Sequence, residues 1–502
     1  MKILWKIART AGLILVIVLG ALAAGGVYMQ RSGVINLGGL NAGIAAEMLW
    51  SEYNPFRTKN LTLKEAAQDT DELFASFERV HPDVSANIGK AEYEKLKQWT
   101  SGEVAKKAAG GKISVKDFAY ILYYSAAALR DGHTRIGWQY RPDGQKGEKL
   151  FPPFMVDARN GKYLIDSLAH GLAGQELLSI NGTDFKAFIK PISDRIPAET
   201  DVYKGRGFTH GQAFWWDFSR LLEGTGELRL GLRDGDGKKS EKTVAPITLN
   251  EFKSLGHMTP SDDRGPNASL RLYGKERTAW LTYRNFIASK EQEAALDKIF
   301  REIKASGYKD LVIDIGGNGG GSTNIGEFIF SYLTDKEFTQ VSRMVVRLSP
   351  ESLRMHPYYE KYRDRLGQNL DLPATPEKAD KKPEAFFTGK VRLLIGNDTF
   401  SSATKFAVTF RDYEIGEMLG HETGGVPSCF GEALTMRLKN SGIRYSVSDK
   451  QFFCPKPRPG DDRHGVLPDV ELTDALLRPY RGDARRFVLD RIVRARKAGK
   501  AG

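Results

Sequence analysis

The sequence predicts an α/β core, a sheet with flanking helices, preceded by an N-terminal helical domain and interrupted by a β-rich insert. Three observations carry that expectation. Apolar residues recur at helical spacing over Leu63–Val80 and Ser114–Leu129. Short alternating runs and hairpin turns fill the stretch from Phe151 to about Val244, and from Ser269 strands and helices alternate, the pattern of a partly parallel sheet. At 502 residues the chain exceeds what a single core holds, so several domains are expected.

In chain order, Lys2, Lys6 and Arg9 precede an uncharged apolar run from Ala11 to Met29. That run is long enough to span a bilayer, with the basic end held in the cytoplasm. Ala21-Leu22-Ala23 also fits a cleavage site, so residues 1–35 read as a membrane anchor or a secretory signal. Either places the remainder on the periplasmic or extracellular side. Residues 36–146 form the helical domain, ending in Leu129-Arg130-Asp131-Gly132-His133-Thr134, where Asp-Gly marks a turn and His133 stands just beyond the helix.

Residues 147–250 form the β-rich module. Within it Gly174-Gln175-Glu176-Leu177-Leu178-Ser179-Ile180-Asn181-Gly182-Thr183 reads as a strand and a hairpin turn. Residues 265–480 form the α/β core. Its Leu311–Ile315 strand leads into Gly316-Gly317-Asn318-Gly319-Gly320-Gly321-Ser322, where successive peptide N–H groups can make an anion nest. A phosphate loop would need GxxxxGK[ST] or GxGxxG, and neither fits, which ranks a nucleotide-binding enzyme last. The basic stretch 481–502 reads as a solvated helix.

Lys390–Tyr413 reads as strand, tight turn and helix, with Ser401 and Ser402 at the helix N-terminus. A serine there is ordinarily a cap. It is also surrounded by free N–H groups and the positive end of the helix dipole, which suit a hydroxyl that attacks a carbonyl.

The formal charge of +12 is dispersed, without a basic patch interleaved with aromatics, a zinc-type cysteine spacing or a nucleic-acid module. Nucleic acid is therefore not an expected partner. The two cysteines, Cys429 and Cys454, flank a hairpin. A two-residue Ser441-Gly442 turn would set Met436 opposite Val447, Leu438 opposite Tyr445 and Cys429 opposite Cys454, predicting a structural disulfide.

Asp131-Gly132-His133-Thr134, the glycine loop after a buried strand, Thr399-Phe400-Ser401-Ser402-Ala403 before a helix, and Gly465-Val466-Leu467-Pro468-Asp469 follow one another in this order. The chain thereby resembles the tail-specific (C-terminal processing) and tricorn-like serine peptidases over most of residues 70–475. Val80-His81-Pro82 fits them too, and the β-rich insert resembles a PDZ module.

The resemblance implies Ser401 as nucleophile, with Ser402 the alternative. Ser402 would supply one oxyanion N–H, and Gly320 or Gly321 the other. The lysine base of the processing branch is missing, since Thr423-Gly424-Gly425-Val426-Pro427 carries valine in its place. His133 is then the implied base, as in the tricorn-like branch, and an unperturbed imidazole suits proton transfer at neutral pH. Asp462 is the first candidate to orient it and Asp131 the second.

Two departures concern substrate contacts: Thr404-Lys405 where the family has a glutamate, and Asp314-Ile315-Gly316 where it has Asp-Leu-Arg. The expected function is an extracytoplasmic serine endopeptidase acting on peptides or proteins, without metal or organic cofactor. The competing expectation is a catalytically inactive binding protein on the same fold.

Overall fold

The structure, a computed structural model, describes residues 60–137, 149–159, 161–165, 171–210, 218–222, 224–254, 266–374, 376–378 and 384–498. The expected anchor or signal at 1–35 and the first part of the helical domain lie outside them. Among the described residues no helix is long and apolar enough to cross a membrane.

The core is built on a six-stranded sheet in the order Ala268–Tyr273, Thr278–Tyr283, Asp310–Asp314, Lys390–Ile395, Glu417–Gly420, Val470–Glu471. The first pair is antiparallel and every later pair parallel. Parallel neighbours need crossovers, and the helices Lys290–Ala305, Thr323–Phe330 and Ser402–Asp412 provide them. Both faces of such a sheet are covered, which is why Leu311-Val312-Ile313 and Leu393 are wholly buried without alternation.

One face packs Leu281, Phe300, Ile329, Leu393 and Phe406 into the largest apolar cluster. The other face holds a difference from expectation. The C-terminal stretch is not a solvated helix: Ala484–Ala498 buries Phe487, Val488, Leu489 and Ile492 against Trp280, Val312 and Leu419. Its basic face misled because arginine can pair with carboxylates at the strand ends of the sheet, as Arg491 does with Glu417 and Arg496 with Asp310.

The N-terminal helices Leu63–Val80, Lys90–Lys107 and Val115–Ala127 share their core with Leu434, Leu438, Ile443, Tyr445 and Val447 of a long hairpin. Thr62 and Glu65 close a reciprocal capping box at the start of the first helix. The β-rich insert has a main antiparallel sheet in the order Lys239–Val244, Leu228–Arg233, Glu176–Ile180, Lys162–Ile165, Val156–Arg159, a separate pair of Lys149–Phe151 with Ile247–Thr248, and its own apolar core. Its Asn181-Gly182 turn has both residues at positive φ, 50° and 80°, as the sequence pair requires.

The hairpin Cys429–Arg437 and Arg444–Phe453 has a different register from the expected one. Met436 faces Tyr445, Leu434 faces Val447, and Cys429 faces Phe452. Cys429 and Cys454 are both free, so the expected disulfide is corrected. The cause lies at the turn, which closes at Leu438 and Ile443 around a four-residue loop. Buried Asp69, from the first helix, accepts the Asn440 and Ser441 N–H groups at 2.9 and 2.7 Å. A long-range carboxylate has thus overruled the local turn preference, and every cross-strand pair moves with it.

Two outcomes check this register. Denatured without reductant, the chain should present both of its cysteines to Ellman's reagent as thiols, and a finding of none would restore the disulfide. Asp69→Ala leaves a buried and a half-buried N–H group unpaired and should destabilise the fold by about 2–3 kcal/mol in urea unfolding, whereas a surface aspartate variant should not.

Candidate active site

The Lys390–Ile395 strand ends in a turn that the Thr399 hydroxyl ties down, donating to Ile315 O and accepting from Gly396 N–H at 2.8 and 3.0 Å. The chain then enters the Ser402–Asp412 helix through Ser401 at φ 55° and ψ −126°. A non-glycine residue there is strained by about 1–3 kcal/mol, and such strain gathers at sites that must project a side chain sharply. The ordinary cap interaction is absent: the Ser401 side chain accepts no N–H from its helix. Its Oγ instead lies 3.0 Å from His133 Nε2. The neighbouring hydroxyl is engaged elsewhere, since Ser402 Oγ donates to Gly321 O at 2.6 Å.

His133 reaches Ser401 from the other end of the chain because the long hairpin holds its loop. Arg135 and Ile136 pair as a short strand with Ser446 and Tyr445. The Ser446 hydroxyl donates to His133 O at 3.0 Å, and Ser448 N–H donates to the Thr134 hydroxyl at 3.1 Å. Asp131 knots the turn. Its Oδ1 accepts the His133 peptide N–H at 2.9 Å and its Oδ2 the Ser448 hydroxyl at 2.7 Å. His81, of the Val80-His81-Pro82 motif, accepts Asp83 N–H at Nδ1, so its Nε2–H faces Asp131 Oδ2 at 3.4 Å. The imidazole of His133 stacks on Phe400, ring centroids 4.8 Å apart, and Tyr203 stacks on the far side of Phe400 at 4.0 Å.

The glycine loop is fastened to the serine turn. Phe400 N–H donates to Asn318 O at 3.1 Å, while buried Asn318 reaches Tyr283 O through its side-chain amide at 3.0 Å. Gly320, at φ 97°, packs so closely that a Cβ there would come within 2.8 Å of Ser401 Cβ. Its N–H donates to Asn318 Oδ1 at 2.8 Å, so the expectation that Gly320 offers a free N–H is corrected. The Gly320 and Phe286 backbones are stitched instead, with Phe286 N–H on Gly320 O and Ser322 N–H on Phe286 O. Among the described residues, the N–H groups of Gly321 and Ser402 make no such bond.

The carboxylate assignments change as well. The Asp462 side chain is 81% exposed and meets only Arg463, 3.8 Å away, so the first candidate for orienting His133 is corrected. Asp131 is adjacent, but its Oδ1 lies 3.9 Å from His133 Nδ1 and is already bonded to the peptide N–H. The sequence reading missed Glu199, which enters from the insert side and is almost fully buried. Only the residue type pointed to it. Asp131, His133 and Glu199 are the one trio of potential ligands among the described residues close enough to share a metal ion, within 4.8 Å of one another.

Burial governs the electrostatics. It lowers the His133 imidazole to about 4; Asp131 and Glu432 oppose this while Lys405 and Arg135 add to it. Burial would raise the Asp131 carboxyl, yet His81, His133 and the Thr134 hydroxyl outweigh it and hold the group well below the usual range. Glu199 is pushed up to about 8 by burial and by the Asp131 charge. Lys405, where a family glutamate was expected, lies 3.0 Å above the Phe452 ring, and burial lowers its ammonium to about 8. This arrangement provides a neutral imidazole on a hydroxyl, with N–H donors to one side.

Residues 277–472 match the model for peptidase family S41. Mature CPAF complexed with lactacystin has a similar fold, at TM-score 0.61 and 14% identity over 86% of this chain and 99% of that one. Mature CPAF alone gives TM-score 0.61 and 15% identity over 86% and 98%. No curated protein sequence matches the chain. The glycine loop, Ser401 and the long hairpin all lie inside the matched stretch, so this part of the chain is similar to peptidase family S41.

Proposed function

We propose that the chain is a serine endopeptidase in which Ser401 attacks a peptide carbonyl and His133 is the general base. The observation that carries this reading is the 3.0 Å contact from Ser401 Oγ to His133 Nε2, made by a serine whose backbone is strained to present it.

The hydroxyl donates its proton to Nε2 as Oγ bonds the carbonyl carbon. The carbonyl oxygen becomes an oxyanion facing the N–H groups of Ser402 and Gly321, the latter taking the role first expected of Gly320. The imidazolium returns its proton to the departing amine, leaving an acyl-serine. Water, deprotonated by the same imidazole, then hydrolyses the ester. Neither step calls for a metal. The substrate class is peptide or protein. Lys2, Lys6 and Arg9 ahead of an apolar run support work beyond a membrane, by anchoring or after export.

Ser401→Ala and His133→Ala should each lower hydrolysis of fluorescent casein by about 10³-fold or more. Ser401→Ala should also abolish labelling by a fluorophosphonate probe and leave the thermal midpoint close to wild type. An unlabelled but folded wild-type protein would favour the inactive binding protein on the same fold.

The base works only when neutral, and its proton is lost near 4. The labelling rate should therefore rise as pH climbs through about 4 and show no inflection near the ordinary imidazole value of about 6.5. A half-maximal rate near 6.5 would contradict the desolvated His133 environment.

A further inference from the structure

His133 Nδ1 is buried and makes no hydrogen bond. With Nε2 facing the Ser401 hydroxyl, Nδ1 must carry the imidazole proton, and that proton needs an acceptor before the ring can take on positive charge. Both Asp131 oxygens already accept hydrogen bonds, from the His133 peptide N–H and from the Ser448 hydroxyl. Asp462 is exposed and faces Arg463.

Glu199 differs from both. It is 8% exposed, and neither of its carboxylate oxygens is hydrogen-bonded. It lies within 4.8 Å of the His133 and Asp131 ligand atoms. It also presses against the catalytic turn, for a Cβ on Gly132 would come 2.9 Å from Glu199 Oε2. The backbone around it is held in place. Arg130 donates to Glu199 O at 3.3 Å, the Thr200 hydroxyl donates to Gly424 O at 3.1 Å, and Tyr203 covers Phe400.

We infer that Glu199, delivered from the insert, is the positioning residue for His133, its carboxyl oxygen accepting the Nδ1–H once substrate closes the site. This rests on the reading of Ser401 and His133 as nucleophile and base. Small side-chain rotations bridge the remaining gap, and catalytic hydrogen bonds commonly tighten only in the complex. The proton inventory is simple: Nδ1 keeps its proton throughout, Nε2 gains the serine proton, and the new positive charge faces Glu199.

The charged and titratable groups around the pair are Asp131, Arg135, Lys405 and Glu432 about His133, and Asp131, Arg130 and Cys429 about Glu199. An ionised Glu199 stabilises the imidazolium better than its neutral acid. The rate should therefore climb a second time as pH rises through about 8.

The test is the rate at which a rhodamine fluorophosphonate labels Ser401 in the full chain from pH 4 to 10, for wild type, Glu199→Gln and Glu199→Asp. Glu199→Gln should lose about tenfold or more at pH 8.5 and lack the second rise, and Glu199→Asp should recover part of both. A purely structural role would lower the thermal midpoint without reshaping the profile. Wild-type rate and profile in a folded Glu199→Gln would overturn the assignment to Glu199 alone, whereas failure of wild type to label at Ser401 would remove the serine peptidase reading with it.

Discussion

The site depends on one contact, the hydroxyl of Ser401 against the imidazole of His133, two residues 268 positions apart. Neither side chain is free to find the other by chance. Ser401 sits at a positive φ that the chain adopts only because the Lys390–Ile395 strand and the buried Ser402–Asp412 helix fix both ends of the turn. The strain of about 1–3 kcal/mol is small beside the burial of that helix, where Ala403, Phe406, Ala407 and Phe410 are all inaccessible. His133 is restrained by hydrogen bonds as well as by its stack on Phe400: its turn is bound to Ser446 and Ser448 on a hairpin from the far end of the chain. The hairpin is therefore part of the site although none of its strands supplies an attacking or accepting atom.

Much of this was legible in the sequence because it depends on local chemistry. Strand, turn and helix around Ser401, the glycine run and the Asp-Gly turn before His133 are short-range patterns, and the structure places all three together. The failures share a physical cause. The cysteine pairing relied on a two-residue turn, but Asp69, more than three hundred residues away, captures two N–H groups of the loop and sets another register. Asp462 is suggested by its nearness to Gly465, and nearness along a loop says nothing about which way a carboxylate points. Gly320 has the expected proximity to Ser401, yet its N–H direction is decided by the Asn318 side chain. Glu199 sits in no motif, so only folding reveals its burial.

Burial also explains how four ionisable groups coexist in so small a volume. Asp131 stays ionised because His81, Thr134 and Ser448 solvate it from within. That negative charge, with desolvation, keeps Glu199 protonated to higher pH, while desolvation strips the proton from His133 and reduces the hold of Lys405 on its own. The Asp131 anion thus helps keep Glu199 neutral, whereas desolvation keeps His133 neutral against the pull of that same charge, and a neutral imidazole is what a base in this position must be.

The parts of the site come from three regions of the chain. Ser401 and the glycine loop lie within the family-matched stretch, His133 follows the N-terminal helices, and Glu199 arrives from the insert. The N-terminal helices share an apolar core with the hairpin, and at the site the regions meet through Thr200 on Gly424, Tyr203 on Phe400, and Ser446 and Ser448 on the His133 turn. Phe400 is the shared element, since it immediately precedes Ser401 and carries His133 on one face and Tyr203 on the other. The α/β core thus sets the nucleophile through its own strand, turn and helix, whereas the surroundings of the imidazole take in Tyr203 and Glu199 from the insert, so the two halves of the contact answer to different parts of the chain.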